Sequence, residues 1–130
     1  MTARKKAPAV RPVARFRLRV TAGDAIFVGP GKVSLLEAIR ETRSITAAAK
    51  SMGMSYRRAW ILVDELNRSL ASAAVASAIG GERGGGSTLT ELGQELVDTY
   101  RRIEATATRA AARDIDRLLA LVAKRTRAPR

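Results

Sequence analysis

A single glycine separates two helix-forming stretches in the segment SITAAAKSMGMSYRRAW, which occupies residues 44–60. Gly53 suits a tight turn because glycine adopts positive φ without strain. The alanines before it let two helices cross closely, and the apolar residues after it recur at spacings of three and four, as on one buried helix face. The segment therefore predicts a helix-turn-helix, with helices over residues 45–52 and 56–70.

Both predicted helices have start signals, because Ser44 and Ser55 each stand one residue before a helix, where a side-chain oxygen caps free backbone N–H groups. The second helix has a predicted buried stripe of Ala59, Leu62, Val63 and Leu66. At about 100° per residue, Arg57 and Ile61 then lie on the opposite face.

The first turn of the second helix is basic and aromatic. Arg57 and Arg58 are suited to guanine edges or to phosphates, and a helix N-terminus itself favours phosphate. The alternative is that both arginines only cover a solvated helix face. Tyr56 is divided between packing and base contact, and Trp60 is interpreted as mainly a packing residue at the edge of the stripe.

The charge balance points to a polyanionic partner. Lys and Arg number 24 against 12 Asp and Glu, a formal net charge of +12, which fits nucleic acid or an anionic membrane surface. A merely soluble, charged surface is the alternative. No residue is Cys or His, which excludes disulfides, Cys/His zinc sites, thiol nucleophiles and the usual general base. No enzyme, no metal and no cofactor is therefore predicted.

Basic and alternating segments precede the helix-turn-helix. Residues 1–15 form a basic arm that is either a solvated tail or a phosphate contact. Residues 16–20 and 25–28 read as two strands of a hairpin with one basic face, turning at Gly23 and Asp24. A packed helix is then expected to begin near Lys32.

The glycine-rich segment GGERGGGS, residues 80–87, follows the helix-turn-helix. In that position it predicts the tip of a wing with Arg83 at its apex, since glycines let a backbone approach DNA closely. It lacks the Lys-Ser/Thr of a nucleotide-binding P-loop. A flexible linker is the serious alternative.

Residues 91–123 predict one long helix that follows Thr90, a plausible cap. Its apolar positions are spaced by threes and fours throughout: Leu92, Leu96, Tyr100, Ile103, Ala107, Ala111, Ile115, Leu118 and Val122. About 30 residues span roughly 45 Å, more than one small domain covers, so a partner helix is expected. Residues 124–130 form a basic tail. No apolar run approaches the roughly 18 residues of a membrane span, so no membrane partner is predicted.

The stretches GPGKVSLLEAIRETRSITAAAKSMGMSYRRAWILVDELN and GGERGGGSTLTELGQEL resemble the N-terminal winged-helix domain of the molybdate-dependent transcriptional regulators, the ModE family. The helix-turn-helix is similar, more loosely, to that of LysR-type regulators. The family resemblance implies a homodimer held by the C-terminal helices, with DNA bound through residues 55–70 and the wing. Members of the family continue into molybdate-binding β-barrel domains. Because this chain ends at Arg130, no bound molybdate is expected. The small residues ASAAVASAI predict a first wing strand that is either short or mobile.

The predicted fold is mainly α with small β elements: a winged helix-turn-helix over residues 16–90, an N-terminal β-hairpin and a long C-terminal dimerisation helix. The predicted function is a sequence-specific, cytoplasmic transcriptional regulator that binds double-stranded DNA as a homodimer. A nucleoid-type, non-specific DNA-binding protein and a dimeric protein-interaction adaptor are the alternatives. The candidate DNA-binding residues are Ser44, Thr46, Lys50, Ser55, Tyr56, Arg57, Arg58, Ile61, Arg83, Gly84, Gly85 and Thr88.

Overall fold

The computed structural model of the chain describes residues 10–77 and 86–122. Its elements, in chain order, are β1 (Val20–Ala22), β2 (Ala25–Val28), α1 (Pro30–Thr42), α2 (Ile45–Ser51), α3 (Tyr56–Ser69), β3 (Val75–Ser77), β4 (Ser87–Leu89), α4 (Glu91–Ala110) and α5 (Ala112–Leu121). Residues 17–104 form one compact unit, and the helical residues from 105 onward belong to a second. The mainly helical fold with small antiparallel strand pairs confirms the predicted fold class.

The N-terminal hairpin turns at Gly23, whose φ is 58°, as expected. Its first strand is β1, so the prediction of a strand over residues 16–20 is wrong. The reason is the length of β2: Val20 already pairs with Val28, where β2 ends, so the residues before Val20 have no partner strand. The register shifts between Val20 and Thr21, which is a bulge that leaves Phe27 unpaired.

Helix α1 begins at Pro30, two residues before the predicted start. Proline fits the first position of a helix because its fixed φ is already helical and it lacks an N–H that would have no partner there. The helix ends at Arg43, which adopts left-handed φ of 56° and donates its N–H to the Ile39 carbonyl at 2.7 Å. Ser44 then caps α2 directly, so the connection between the two helices is very short.

The core is aliphatic apart from one tyrosine, and every apolar residue predicted for the helix-turn-helix stripe is in it. Its buried residues are Val28, Val33, Leu35, Leu36, Ile39, Ala48, Ala49, Ala59, Leu62, Val63, Leu66, Ala74, Val75, Val97 and Tyr100. Alanines stand where α2 meets α3, because a larger side chain there would hold the two helices apart. The described residues include no buried polar side-chain atom without a hydrogen-bond partner.

Strands β3 and β4 pair antiparallel, with Val75 opposite Leu89 and Ser77 opposite Ser87. Each has three residues in the described part of the chain. The prediction for the first wing strand also covers residues 78–79, which lie outside the described residues. The prediction of one uninterrupted helix over residues 91–123 is wrong in detail, because α4 and α5 meet at Ala111, which has φ of −99° and ψ of 9°. Nothing in the structure explains this irregularity. The helical hydrogen bonds continue on both sides of it, from Ala111 N to Ala107 O at 3.0 Å and from Ile115 N to Ala111 O at 2.8 Å.

Candidate nucleic-acid interface

The turn between α2 and α3 has the geometry expected of a helix-turn-helix. Gly53 has φ of 68°, so a side chain there would be strained. The Ser44 hydroxyl accepts from Ala47 N at 3.0 Å, and the Ser55 hydroxyl accepts from Arg58 N at 3.1 Å. Both predicted caps are confirmed, each with a typical value of about 1 kcal/mol. Each hydroxyl keeps its own hydrogen, which remains free to donate outward.

The outward face of α3 carries the arginines selected from the sequence. Arg57 and Arg58 are exposed, and neither has an ion-pair partner among the residues the structure describes. Tyr56 is 53% exposed, and Ile61, one turn further along, is half-buried. The first turn of α3 is thus an open cationic surface next to the positive end of the helix dipole.

Helix α2 adds two exposed candidates, Thr46 in its first turn and Lys50 near its end. The sequence analysis interprets Trp60 as mainly a packing residue, but the residue is 49% exposed in the structure. Its position about 100° from the buried stripe places the indole at the edge of the packed face, so about half of its surface is left to solvent.

Two carboxylates on α3 are neutralised. Asp64 pairs with Arg68 one turn along the helix, as the i, i+4 spacing predicts. The hydrogen bond to Asp64 raises the pKa of the Arg68 guanidinium. Glu65 lies 3.6 Å from Lys32 Nζ. The carboxylates of α3 therefore pair with Arg68 and Lys32, and not with Arg57 or Arg58.

The wing can be followed only at its base. Arg83, Gly84 and Gly85 lie outside the described residues, so their predicted contacts stay predictions. Thr88 on β4 is exposed, with its hydroxyl 3.5 Å from the Leu89 carbonyl. The Arg43 carbonyl accepts from Ser87 N at 3.1 Å, which ties the start of β4 to the end of α1.

The sequence analysis missed Asn67, which connects α3 to the wing. Asn67 Oδ1 accepts from Ala74 N at 2.8 Å and from Val75 N at 3.2 Å, and Nδ2 donates to Val75 O at 3.1 Å. The only sequence signal is an amide directly after buried Leu66, at the edge of the stripe.

Thr90 also hydrogen-bonds to the segment between α3 and β3. Its hydroxyl donates to Ala73 O at 2.6 Å and accepts from Gly93 N at 3.1 Å. The second of these bonds makes Thr90 the cap of α4, as expected.

Two long-range bonds fix the N-terminal hairpin region. The Tyr100 hydroxyl donates to Leu18 O at 2.7 Å, and Lys32 Nζ donates to Ile26 O at 2.8 Å. Burial raises the pKa of Tyr100, so its hydroxyl keeps the proton it donates at neutral pH. Arg17 and Arg19, on either side of Leu18, are exposed, and the sequence analysis did not select them.

Several known proteins are similar in sequence to part of this chain. The molybdenum-pterin-binding protein MopB of Rhodobacter capsulatus is 46% identical over 78 residues, which are 60% of this chain and 29% of that protein. The molybdenum transport protein ModE of Azotobacter vinelandii is 38% identical over 96 residues, 74% of this chain and 35% of that protein. The DNA-binding transcriptional dual regulator ModE of Escherichia coli K12 is 40% identical over 75 residues, 58% of this chain and 29% of that protein.

The chain is a homologue of the ModE regulators. This confirms the resemblance drawn from the residues. The chain spans about a third of the length of these ModE-type relatives, so the similarity describes one part of them. No protein-family model matches the chain.

The fold of this chain also occurs outside these relatives. The DNA-binding domain of CbnR, solved in a complex with DNA, superposes with a TM-score of 0.50 and 24% sequence identity, over 65% of this chain and 91% of that one. That likeness shows the shared winged helix-turn-helix fold.

The described residues also bear on metal binding and on membrane crossing. Residues 10–77 and 86–122 contain no group of three or more His, Cys, Asp or Glu side chains arranged to hold a metal ion. In the same part of the chain, no helix is long and apolar enough to cross a membrane.

Proposed function

We propose that this chain is a sequence-specific, double-stranded-DNA-binding transcriptional regulator that acts as a homodimer. The observation that carries the proposal is the first turn of α3. There Arg57 and Arg58 are exposed and free of ion pairs among the described residues, on a capped helix of a helix-turn-helix. Relatives named as DNA-binding or transcriptional regulators favour the same role and a non-enzymatic one, in the cytoplasm where bacterial DNA lies.

In this proposal α3 enters the major groove, where Arg57 and Arg58 contact guanine edges or the flanking phosphates. Tyr56 and Ile61 contact base edges or thymine methyl groups. Ser44, Thr46, Lys50 and Ser55 contact phosphates, because they lie at or near the ends of α2 and α3. Arg83, Gly84, Gly85 and Thr88 would extend the contact to the flanking backbone or minor groove.

The exposed apolar side chains on the outer part of the C-terminal helices support the proposed homodimer. Ile103, Leu118, Leu121 and Val122 are large, apolar and exposed, and a second copy would cover them. Two copies related by a two-fold axis would present their α3 helices to two half-sites of one operator.

Selection from a random duplex library, followed by competition with unselected DNA, tests the proposal. A sequence-specific regulator enriches a motif, and unselected DNA competes with it at least about a thousandfold less well. Equal competition would support the nucleoid-type protein, and no binding at low salt would support the adaptor; either result contradicts the proposal.

Single variants then separate base reading from phosphate contact. Arg57→Ala and Arg58→Ala are compared with Arg109→Ala, an exposed arginine near the end of α4. An arginine that reads guanine loses about 1–3 kcal/mol of discrimination at one position of the motif. An arginine that contacts phosphate weakens all sequences alike. We expect Arg109→Ala to do neither.

A further inference from the structure

A groove of about 990 Å³ lies between the N-terminal hairpin region and the outward face of α3. The cations along it are Arg17, Arg19, Lys32, Arg58 and Arg68, and its carboxylates are Asp24, Asp64 and Glu65. Trp60 and Ile61 form part of its apolar lining. The groove is thus continuous with the α3 surface proposed to read DNA.

The free charge in the groove is positive, because most of its carboxylates are already paired. Glu65 lies beside Lys32, and Asp64 pairs with Arg68. Among the described residues this leaves three arginines of the lining, Arg17, Arg19 and Arg58, without an ion-pair partner, against one carboxylate, Asp24. Such a surface attracts an extended anion that passes over it.

The two hairpin-side arginines stand on backbone that is held in place. The Leu18 carbonyl between them accepts from the Tyr100 hydroxyl at 2.7 Å. Arg17 and Arg19 are both exposed and both line the groove, whereas Leu18 between them is half-buried. Across the groove, Lys32 joins Ile26 of β2 to Glu65 of α3 at 2.8 and 3.6 Å. The arginines are therefore held at a set distance from α3.

We propose that this groove takes one sugar-phosphate strand of the duplex that α3 reads, and that Arg17 and Arg19 contact its phosphates. The inference rests on the proposed function and extends the interface from the helix-turn-helix to the segment before β1. A helix in the major groove has a phosphate backbone on each flank. The groove provides a cationic surface for the flank on the hairpin side. Phosphate contact adds affinity in all sequences alike and carries no base preference.

The test compares the double variant Arg17→Ala/Arg19→Ala with Arg113→Ala/Arg117→Ala. The control removes the same charge from exposed positions on α5, on the face opposite its apolar stripe. Affinity for the selected duplex is measured from 0.05 to 0.3 M salt. Loss of two phosphate contacts lowers the slope of log K against log salt by about 2, and lowers affinity at 0.15 M salt on the order of tenfold or more. The control should leave the slope unchanged.

Two further readouts locate the contact. Trp60 is the single tryptophan of the chain, so a DNA strand in the groove changes its fluorescence, and the double variant shifts that titration to higher DNA concentration. Replacing single phosphates by neutral methylphosphonates should weaken the wild type at one or two positions on one flank. At those positions the double variant should show no further loss.

The proposal is overturned if the double variant keeps the wild-type slope, if the control loses as much, or if the variant loses preference at single bases. Thermal unfolding of each variant checks the fold, which should persist because Tyr100 bonds to the backbone of Leu18. Wild-type protein that binds no DNA would contradict the proposed function itself. If the wild type binds DNA specifically and the double variant binds it equally well, only the proposed contact of the groove with a DNA strand is contradicted.

Discussion

At the scale of single residues, Gly93 has very little room for a side chain. A Cβ built there would lie 2.2 Å from the Ala74 carbonyl oxygen, a backbone atom that Thr90 N and β3 hold in place. Gly93→Ala should therefore destabilise the protein by about 1–3 kcal/mol as an overpacked site, although alanine favours helix by about 1 kcal/mol. Urea unfolding measures the difference. The matched control is Gly31→Ala in α1, whose added Cβ meets nothing within 4 Å; wild-type stability of Gly93→Ala would contradict the close approach.

The ion pair between Glu37 and Arg101 makes stability depend on pH. Arg101 binds both carboxylate oxygens, at 2.6 and 2.9 Å, and this hydrogen bonding lowers the pKa of Glu37 below its ordinary 4.5. A lowered folded-state pKa adds stability above the unfolded pKa, and that stability is lost as the pH falls through the folded value.

Glu37→Gln should therefore cost about 1 kcal/mol at pH 7. The difference from wild type should shrink as the pH falls below 4.5, the ordinary value for this carboxyl. Urea unfolding at pH 7 and at several acidic values measures it. Glu41→Gln, at an exposed site on the same helix without an ion pair among the described residues, is the control. A gap between wild type and Glu37→Gln that stays constant with pH would show that charge is not its cause.

At the scale of elements, the sequence predicted what local chemistry decides. The caps Ser44 and Ser55, the turn at Gly53 and the buried stripe of α3 depend on residues within a few positions of one another, and all are confirmed. The first strand was misplaced because its length depends on where β2 ends. The hydrogen bonds of Asn67 were missed because their partners lie seven and eight residues further on, beyond the helical period.

Asn67 should stabilise the base of the wing more than it stabilises the core. Asn67→Ala leaves the N–H groups of Ala74 and Val75 without their acceptor, a loss of about 1–3 kcal/mol. Asn67→Asp keeps the acceptor and loses only the donor to Val75, so it should fall between wild type and Asn67→Ala. Hydrogen exchange should show faster exchange at the β3 and β4 amides, with little change at Leu35 and Leu36 of α1. Ser69→Ala, whose hydroxyl bonds only within α3 to Glu65 O, is the control, and uniform acceleration across the core would contradict a wing-specific role.

At the scale of the whole molecule, the described chain leaves much of the apolar stripe on its C-terminal helices uncovered. Ile103 is 47% exposed and Leu118 58% exposed, although Val97 and Tyr100, earlier along the same stretch, are buried in the domain core. Large apolar side chains grouped on one surface mark an interaction site. The sequence predicts this stripe from the threes-and-fours spacing, which is a local property. The sequence did not predict the irregularity at Ala111, because no residue type there signals a break in a helix.

The proposed dimer makes a prediction that couples assembly to DNA affinity. Leu118→Glu places a charge in the stripe and should convert the dimer into a monomer, because an unpaired charge in an apolar interface is costly. Ala120→Glu puts the same side chain about 200° around α5, at an exposed position on the other face, and should leave the dimer intact. Sedimentation equilibrium measures both. The monomer should bind a single half-site as well as wild type does, because α3 is untouched, yet lose about 10²- to 10⁴-fold on a duplex with two half-sites, the advantage of linking two sites. A dimer that persists in Leu118→Glu, or equal dissociation in both variants, would place the interface elsewhere.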